Sequence, residues 1–219
     1  MQEPLRDWIA KLFEDRGLRG QGHAQRLDDL NLGLGWIYYA LGRLVRPRTV
    51  VVIGSLRGFA PLVFGRAVSE NSEAGTITFI DPSFVDEFWK DECGVQKHFA
   101  AFGLDNIRHF LLTTQQFVET SAYRDLPPVE LLFVDGYHTA EQARYDHLAF
   151  ANKLAPEAIV LFHDSTTLVT SGIYGEERRY LHTVKHYMDE LKLDPSLQVF
   201  DLPFDSGLTL VRRATPAMP

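Results

Sequence analysis

Thr49-Val-Val-Val-Ile-Gly-Ser-Leu-Arg-Gly58 is the stretch on which the fold turns. Its first five residues are an unbroken β-favouring apolar run. A run of that length suits a strand covered on both faces, as in a parallel sheet. Gly54 and Gly58 then let the backbone turn sharply, and the helix expected over 61–68 points its first amides at whatever sits beyond the strand. The spacing is G-x-x-x-G. A dinucleotide turn needs G-x-G-x-x-G, and Leu56 stands where its central glycine would admit a pyrophosphate. The turn therefore disfavours a nicotinamide dinucleotide and suits a ligand whose anion is a carboxylate. A plain strand-to-helix turn reads the same two glycines.

Outward from this stretch, further apolar runs predict strands at 76–80, 107–112, 130–134 and 158–162. Helical segments are expected at 84–102 and at 139–154, the latter opened by a Thr139-x-x-Gln142 capping box. Alternating strands and helices mean βαβ units in a doubly wound α/β sheet. The tail reads as a helix over 176–193. Two strands at 197–202 and 207–212 follow, around Pro203-Phe-Asp-Ser-Gly207, an antiparallel hairpin. Residues 30–44 form the best helical segment of the first 47, which are expected to pack on a single domain spanning 1–219.

Composition bounds the function. The 219 residues carry a formal net charge of −7, which argues against a nucleic-acid backbone as partner. Cys93 is the sole cysteine, so neither an internal disulfide nor a cysteine metal cluster can form. The N-terminus mixes acids and bases without the apolar core of a signal peptide, and no run of about 18 apolar residues exists to span a membrane. A cytoplasmic protein is the expectation; a homo-oligomer stays open.

Ligands of open α/β sheets sit beyond the carboxyl ends of the strands. After the second strand comes Asp81, suited to accept from both hydroxyls of a ribose, or else to cap the next helix. After the third come Thr113-Thr114-Gln115, which suit either an adenine edge or the caps of a short helix. After the fourth comes Asp135-Gly-Tyr-His138, and after the fifth His163-Asp164. With strands ordered 3-2-1-4-5, these last two ends are neighbours. Two carboxylates and two histidines there can hold a divalent cation through oxygen with imidazole assisting, or supply a general base. The glycine-containing segment 166–177 follows directly and has the length of a lid, or is a surface loop. Tyr174 and the aromatics Trp36, Tyr38 and Tyr39 suit an acceptor pocket, although the last three have the spacing of core residues.

Taken in order, Val-Val-Ile-Gly-Ser-Leu-Arg-Gly (51–58), Phe-Ile-Asp-Pro (79–82), Val-Asp-Gly-Tyr-His (134–138) with Asp146 beyond, Leu-Ala-Pro (154–156) and Leu-Phe-His-Asp (161–164) resemble a class I S-adenosylmethionine-dependent methyltransferase. The closer resemblance is to the small-molecule O-methyltransferases of the macrolide-sugar and catechol types and the methyltransferase 24 group. It implies a Rossmann-like methyltransferase fold: a mostly parallel seven-stranded sheet, order 3-2-1-4-5-7-6. It implies S-adenosylmethionine on Gly54, Ser55 and Gly58 through its methionine part, on Asp81 through ribose, near Thr113 and Thr114 through adenine, and near Asp135 through its amine. Magnesium or another divalent cation maps to Asp135, His163 and Asp164, and the proton acceptor to His138 or His163. The reaction implied is O-methylation of a small-molecule hydroxyl. A metal-free methyltransferase with a histidine base, a non-catalytic cofactor-binding relative and a nucleotide-dependent oxidoreductase are the alternatives. The sequence departs from the pattern at Val52, where relatives carry Glu, and at Ala60, where they carry Ser or Thr.

Overall fold

A computed structural model describes residues 3–20, 22–73 and 75–214. Its main sheet is built from β1 (Thr49–Ile53), β2 (Thr76–Ile80), β3 (Ile107–Phe110), β4 (Val129–Val134), β5 (Leu154–His163), β8 (Leu197–Leu202) and β9 (Leu208–Arg213). Their order is β3-β2-β1-β4-β5-β9-β8. The first five are mutually parallel, and β9 alone runs against them, antiparallel to both its neighbours β5 and β8. With two short extra strands set aside, this is the expected order with its closing hairpin. Among the described residues, no helix is long and apolar enough to cross a membrane.

Strand alternation divides the core into two layers. Val50, Val52, Phe79, Leu131 and Phe133 point to one side, where α1 (Leu5–Glu14), α2 (Gly35–Val45), α3 (Phe59–Ser69) and α4 (Glu92–Ala101) supply Trp8, Tyr38, Phe64 and Phe99. Val51, Ile53, Leu132, Val134 and Phe162 point to the other. There they meet Phe117 of α5 (Thr114–Phe117), Ala143 of α7 (Ala140–Ala149) and Tyr187 and Met188 of α8 (Val184–Leu191). A single-turn helix, α6 (Ser121–Arg124), joins α5 to β4. The sequence Phe-Ala-Pro-Leu-Val-Phe-Gly-Arg-Ala-Val is apolar on every side, and α3 is accordingly buried from Phe59 to Val68 between sheet and α2. Pro61 sits in its first turn, where a missing N–H costs nothing. The aromatics Tyr38 and Tyr39 take the core alternative: Tyr38 is fully buried against Phe64 and Phe133, and Tyr39 bonds Glu70. Neither they nor Trp36 reach the cavity described below.

Three expected elements differ. The helix placed at 84–102 begins only at Glu92, because Asp86 accepts from the Phe88 amide and Asp91 from the Cys93 amide. Such side-chain bonds offer the backbone an alternative to helix. The helix over 139–154 ends at Ala149, and Leu154 opens β5. The helix over 176–193 is only α8; the residues before it form a 3-10 turn and a strand. That strand, β7 (Tyr180–His182), pairs antiparallel with β6 (Val169–Ser171), so the expected lid is an ordered two-stranded ribbon.

The register sets the site. Ile80, Ile53, Val134 and Phe162 form one row across β2, β1, β4 and β5, with Phe110 of β3 beside Ile80. The next residues, Asp81, Gly54, Asp135 and His163, therefore share one rim.

Candidate functional site

The ladder continues into the rim: Gly54 N donates to Ile80 O, Asp81 N to Phe110 O and Asp135 N to Ile53 O. Above it lies one cavity of about 860 Å³. Of the residues singled out from sequence, Gly54, Ser55, Asp81, Thr113, Thr114, Asp135, His138, His163 and Asp164 all line it. Gly58, Val52 and Ala60 do not.

The glycine turn serves the protein's own packing as much as a ligand. A Cβ on Gly54, whose φ is +71°, would lie 2.3 Å from Asp135 O and 2.6 Å from Gly136 Cα. Gly58, expected against the cofactor, instead meets Trp89, with 3.0 Å from an added Cβ to the indole. That indole donates to Leu56 O at 2.8 Å and roofs the turn. Ser55 Oγ accepts from Ala60 N at 3.2 Å, so the serine caps the helix end at the position where relatives carry a hydroxyl.

Asp81 accepts from Ser55 N on one oxygen (3.2 Å) and from Ser83 N on the other (2.7 Å). Burial raises its carboxyl to about 6 in spite of those two amides. One lone pair on each oxygen remains for a ligand. Thr113 forms a complete capping box with Gln116. Thr114 bonds the buried Asp146, which burial also holds at about 6. The threonine side chains are thus committed to the fold, and what they offer an adenine is the backbone edge of their loop. Gln142 does not close the box expected with Thr139; its amide donates to Asp146 and its carbonyl accepts from Gln115.

Beyond the ends of β4 and β5 the two carboxylates and two histidines do converge. His163 Nδ1 lies 3.0 Å from Asp135 Oδ1 and 3.1 Å from Asp164 Oδ1. Its Nε2 faces the Gly22 carbonyl at 2.9 Å and must donate to it. A neutral ring would then aim the Nδ1 lone pair at two anions. Burial pulls the imidazole down, but Asp135, Asp164 and the Gly22 carbonyl outweigh it and hold the pKa up at about 9. A raised pKa favours the protonated ring, which donates from both nitrogens, so His138 suits the proton-accepting role better than His163. His138 is the reverse case. Burial lowers its pKa despite Asp135 and Asp164, each 3.8 Å from Nε2, so the ring is neutral. Against the opposing pull of burial, the His182 imidazole, and behind it His163 and His138, hold the Asp164 carboxyl well below the usual range.

Two further histidines were not legible. His182, the last residue of β7, places Nδ1 3.0 Å from Asp164 Oδ2 and stacks on His138 with centroids 4.3 Å apart. His23 packs at a tilt against His163, centroids 4.5 Å apart, and burial keeps it neutral, near 3. The alternation Tyr180-Leu181-His182, with Leu181 outward, was the available signal for the first; the irregular loop around His23 gave none.

The magnesium expected here does not fit. Magnesium takes oxygen ligands and water, whereas here one oxygen each of Asp135 and Asp164 faces His163 Nδ1 and the remaining Asp164 oxygen faces the imidazoles of His138 and His182. No chemical step is assigned to magnesium.

A family model described as a methyltransferase domain matches residues 51–165, just over half of the 219. An uncharacterized Sinorhizobium fredii protein, y4gI, is 29% identical over 180 residues. The match covers 80% of this chain, but the chain spans only 18% of that relative's length. Among solved structures, the S-adenosylmethionine complex of the O-methyltransferase TomG from Streptomyces achromogenes, involved in tomaymycin synthesis, superposes with a TM-score of 0.64 at 16% identity, over 96% of each chain. The S-adenosylhomocysteine-bound Podospora anserina methyltransferase PaMTH1 gives 0.66 at 14%, over 98% of this chain and 91% of that one. The Bacillus cereus O-methyltransferase in complex with S-adenosylhomocysteine gives 0.65 at 12%, over 96% and 92%. This chain belongs to the methyltransferase domain family, in its class I S-adenosylmethionine-dependent group.

Proposed function

We propose that the chain transfers the methyl group of S-adenosylmethionine to a hydroxyl of a small acceptor. The observation that carries this is one cavity joining the Gly54–Ser55–Asp81 rim to the histidine–carboxylate cluster. The cofactor's amino-acid end would lie on the glycine turn, its ribose on Asp81 and its adenine along 113–115. The methyl sulfonium is already activated, so the protein has to align an oxygen with the S–CH₃ axis and remove its proton. His138, neutral and lining the cavity, would take that proton. Asp135 and Asp164 at 3.8 Å would stabilise the imidazolium. His163 holds both carboxylates in place.

The acceptor would sit under the ribbon. Tyr137 and Tyr180 stack with centroids 4.5 Å apart and planes within 5°, and Tyr174 closes the wall at 5.8 Å from Tyr137. A flat aromatic wall suits a ring-shaped acceptor. The net charge of −7 again speaks against nucleic acid.

Titration calorimetry with S-adenosylhomocysteine is the first test, with binding expected in the wild type and loss in Asp81→Ala. Mass spectrometry of hydroxylated ring compounds incubated with methyl-labelled cofactor is the second. A chain that binds no S-adenosylhomocysteine sinks the reading.

A further inference from the structure

His138, Asp164 and His182 reach the cavity from the turn after β4, the end of β5 and the end of β7, and their ligand atoms lie within 4.8 Å of one another. We propose that this trio binds one transition-metal ion of the zinc, cobalt or nickel class, in place of the magnesium that the fold family implies. The inference rests on the same cluster as the methyl-transfer reading.

Three observations support it. The donor set is two imidazoles and one carboxylate, and borderline cations accept imidazole where magnesium keeps to oxygen and water. The geometry is close to that of a bound ion. His182 Nδ1 and His138 Nε2 stand 3.0 and 3.8 Å from the same oxygen, Asp164 Oδ2. Donors at zinc–nitrogen distances in a tetrahedron lie about 3.3 Å apart, so each ring needs a shift of only roughly half an ångström relative to Asp164 Oδ2. Finally, the surroundings prepare it. His163 clamps the other oxygen, Asp164 Oδ1, at 3.1 Å and leaves Oδ2 toward the two rings, as outer partners of metal ligands do. The His182 side chain is only 8% exposed, and its Nδ1, the nitrogen facing Asp164 Oδ2, makes no hydrogen bond of good geometry among the described residues. All three ligands line the cavity, so a fourth position would face it. An ion here takes the His138 lone pair, and the ion-loaded and proton-accepting forms of the cluster exclude each other.

The test is a cobalt(II) titration of the full chain after chelator treatment, without cofactor, read by visible absorption. One equivalent should bind with the bands of imidazole ligation and should resist a roughly thousandfold excess of magnesium. Asp164→Asn and His182→Asn should each weaken binding at least tenfold, while His186→Gln, an exposed histidine on α8, should change nothing. Should His182→Asn fail to fold, His138→Asn reads the same loss. Absence of the bands, displacement by equimolar magnesium, or unchanged affinity in the folded variants overturns the site. S-adenosylhomocysteine binding on the same sample separates the two readings: a chain that binds it but not cobalt loses the metal site and keeps methyl transfer.

Discussion

The two halves of the cavity are built differently. The half over β1 and β2 is backbone and short side chains on consecutive strand ends, and Ile80 and Ile53 in one row fix Asp81 beside Gly54. The half over β4 and β5 borrows from far away. His163 is anchored to Gly22, 141 residues earlier, and Asp164 faces His182 from an inserted ribbon. The first half is fixed by the register of neighbouring strands; the second depends on contacts between segments far apart in the chain. Function is argued from such sites, not from the fold that carries them.

The largest effect is expected in the borrowed half. His138→Gln should lower turnover by roughly 10²–10⁴, the usual worth of a positioned base, with S-adenosylhomocysteine affinity kept within about threefold. Equal loss of affinity and turnover would erase the division between the halves. Next comes the first half's own architecture. Gly54→Ala forces a left-handed residue and drives a methyl into the backbone of Asp135, so about 3 kcal/mol of stability should go in denaturant unfolding. Gly103→Ala, also left-handed at φ +70° but with nothing within 4 Å, should cost only about 1 kcal/mol. Equal costs would show that close approach at the rim is unimportant.

Asp81→Ala should weaken S-adenosylhomocysteine roughly 10–50-fold, as for hydrogen bonds to a charged group. Its pH dependence sharpens the point. With the free chain's carboxyl raised to about 6, protonation removes one acceptor oxygen, so affinity should fall as pH drops below 6, by up to about tenfold per unit. Stability has the opposite sign. A raised carboxyl contributes fully below its ordinary 3.8 and loses that contribution as pH rises through 6, so Asp81 is less favourable to the fold in the very form that would bind ribose. Asp81→Asn should flatten the affinity curve between pH 4 and 7 and remove Asp81's share of the stability curve, leaving that of Asp146.

The contrast also marks what the sequence could tell. Parallel order, the antiparallel hairpin and the rim were legible because unbroken apolar runs and the residues just after them are local features. The packing demand on Gly58 was not legible because a glycine required by Trp89 reads the same as one required by a ligand. The helix expected over 176–193 hid β7 because its signal is three residues long, too short for a period to register. The protonation of His163 was not legible because its partner at Gly22 has no sequence signature, and a protonation state is set by neighbours.

The smallest effect concerns the seam between the turn and the loop over 83–88. Arg57 pairs with Asp86 through two contacts, at 3.0 and 2.5 Å, and lies over the Phe88 ring at 4.4 Å. Both side chains are partly exposed, at 26% and 36%, so screening limits the pair. Asp86→Asn should cost under about 1 kcal/mol in unfolding and change S-adenosylhomocysteine affinity by less than about threefold, with the loss shrinking further at 1 M salt. A tenfold loss of affinity would mean that the loop over 83–88 is held in place by that pair alone. Trp89, which joins loop and turn through Leu56 O and packs under Gly58, makes the milder outcome the expected one.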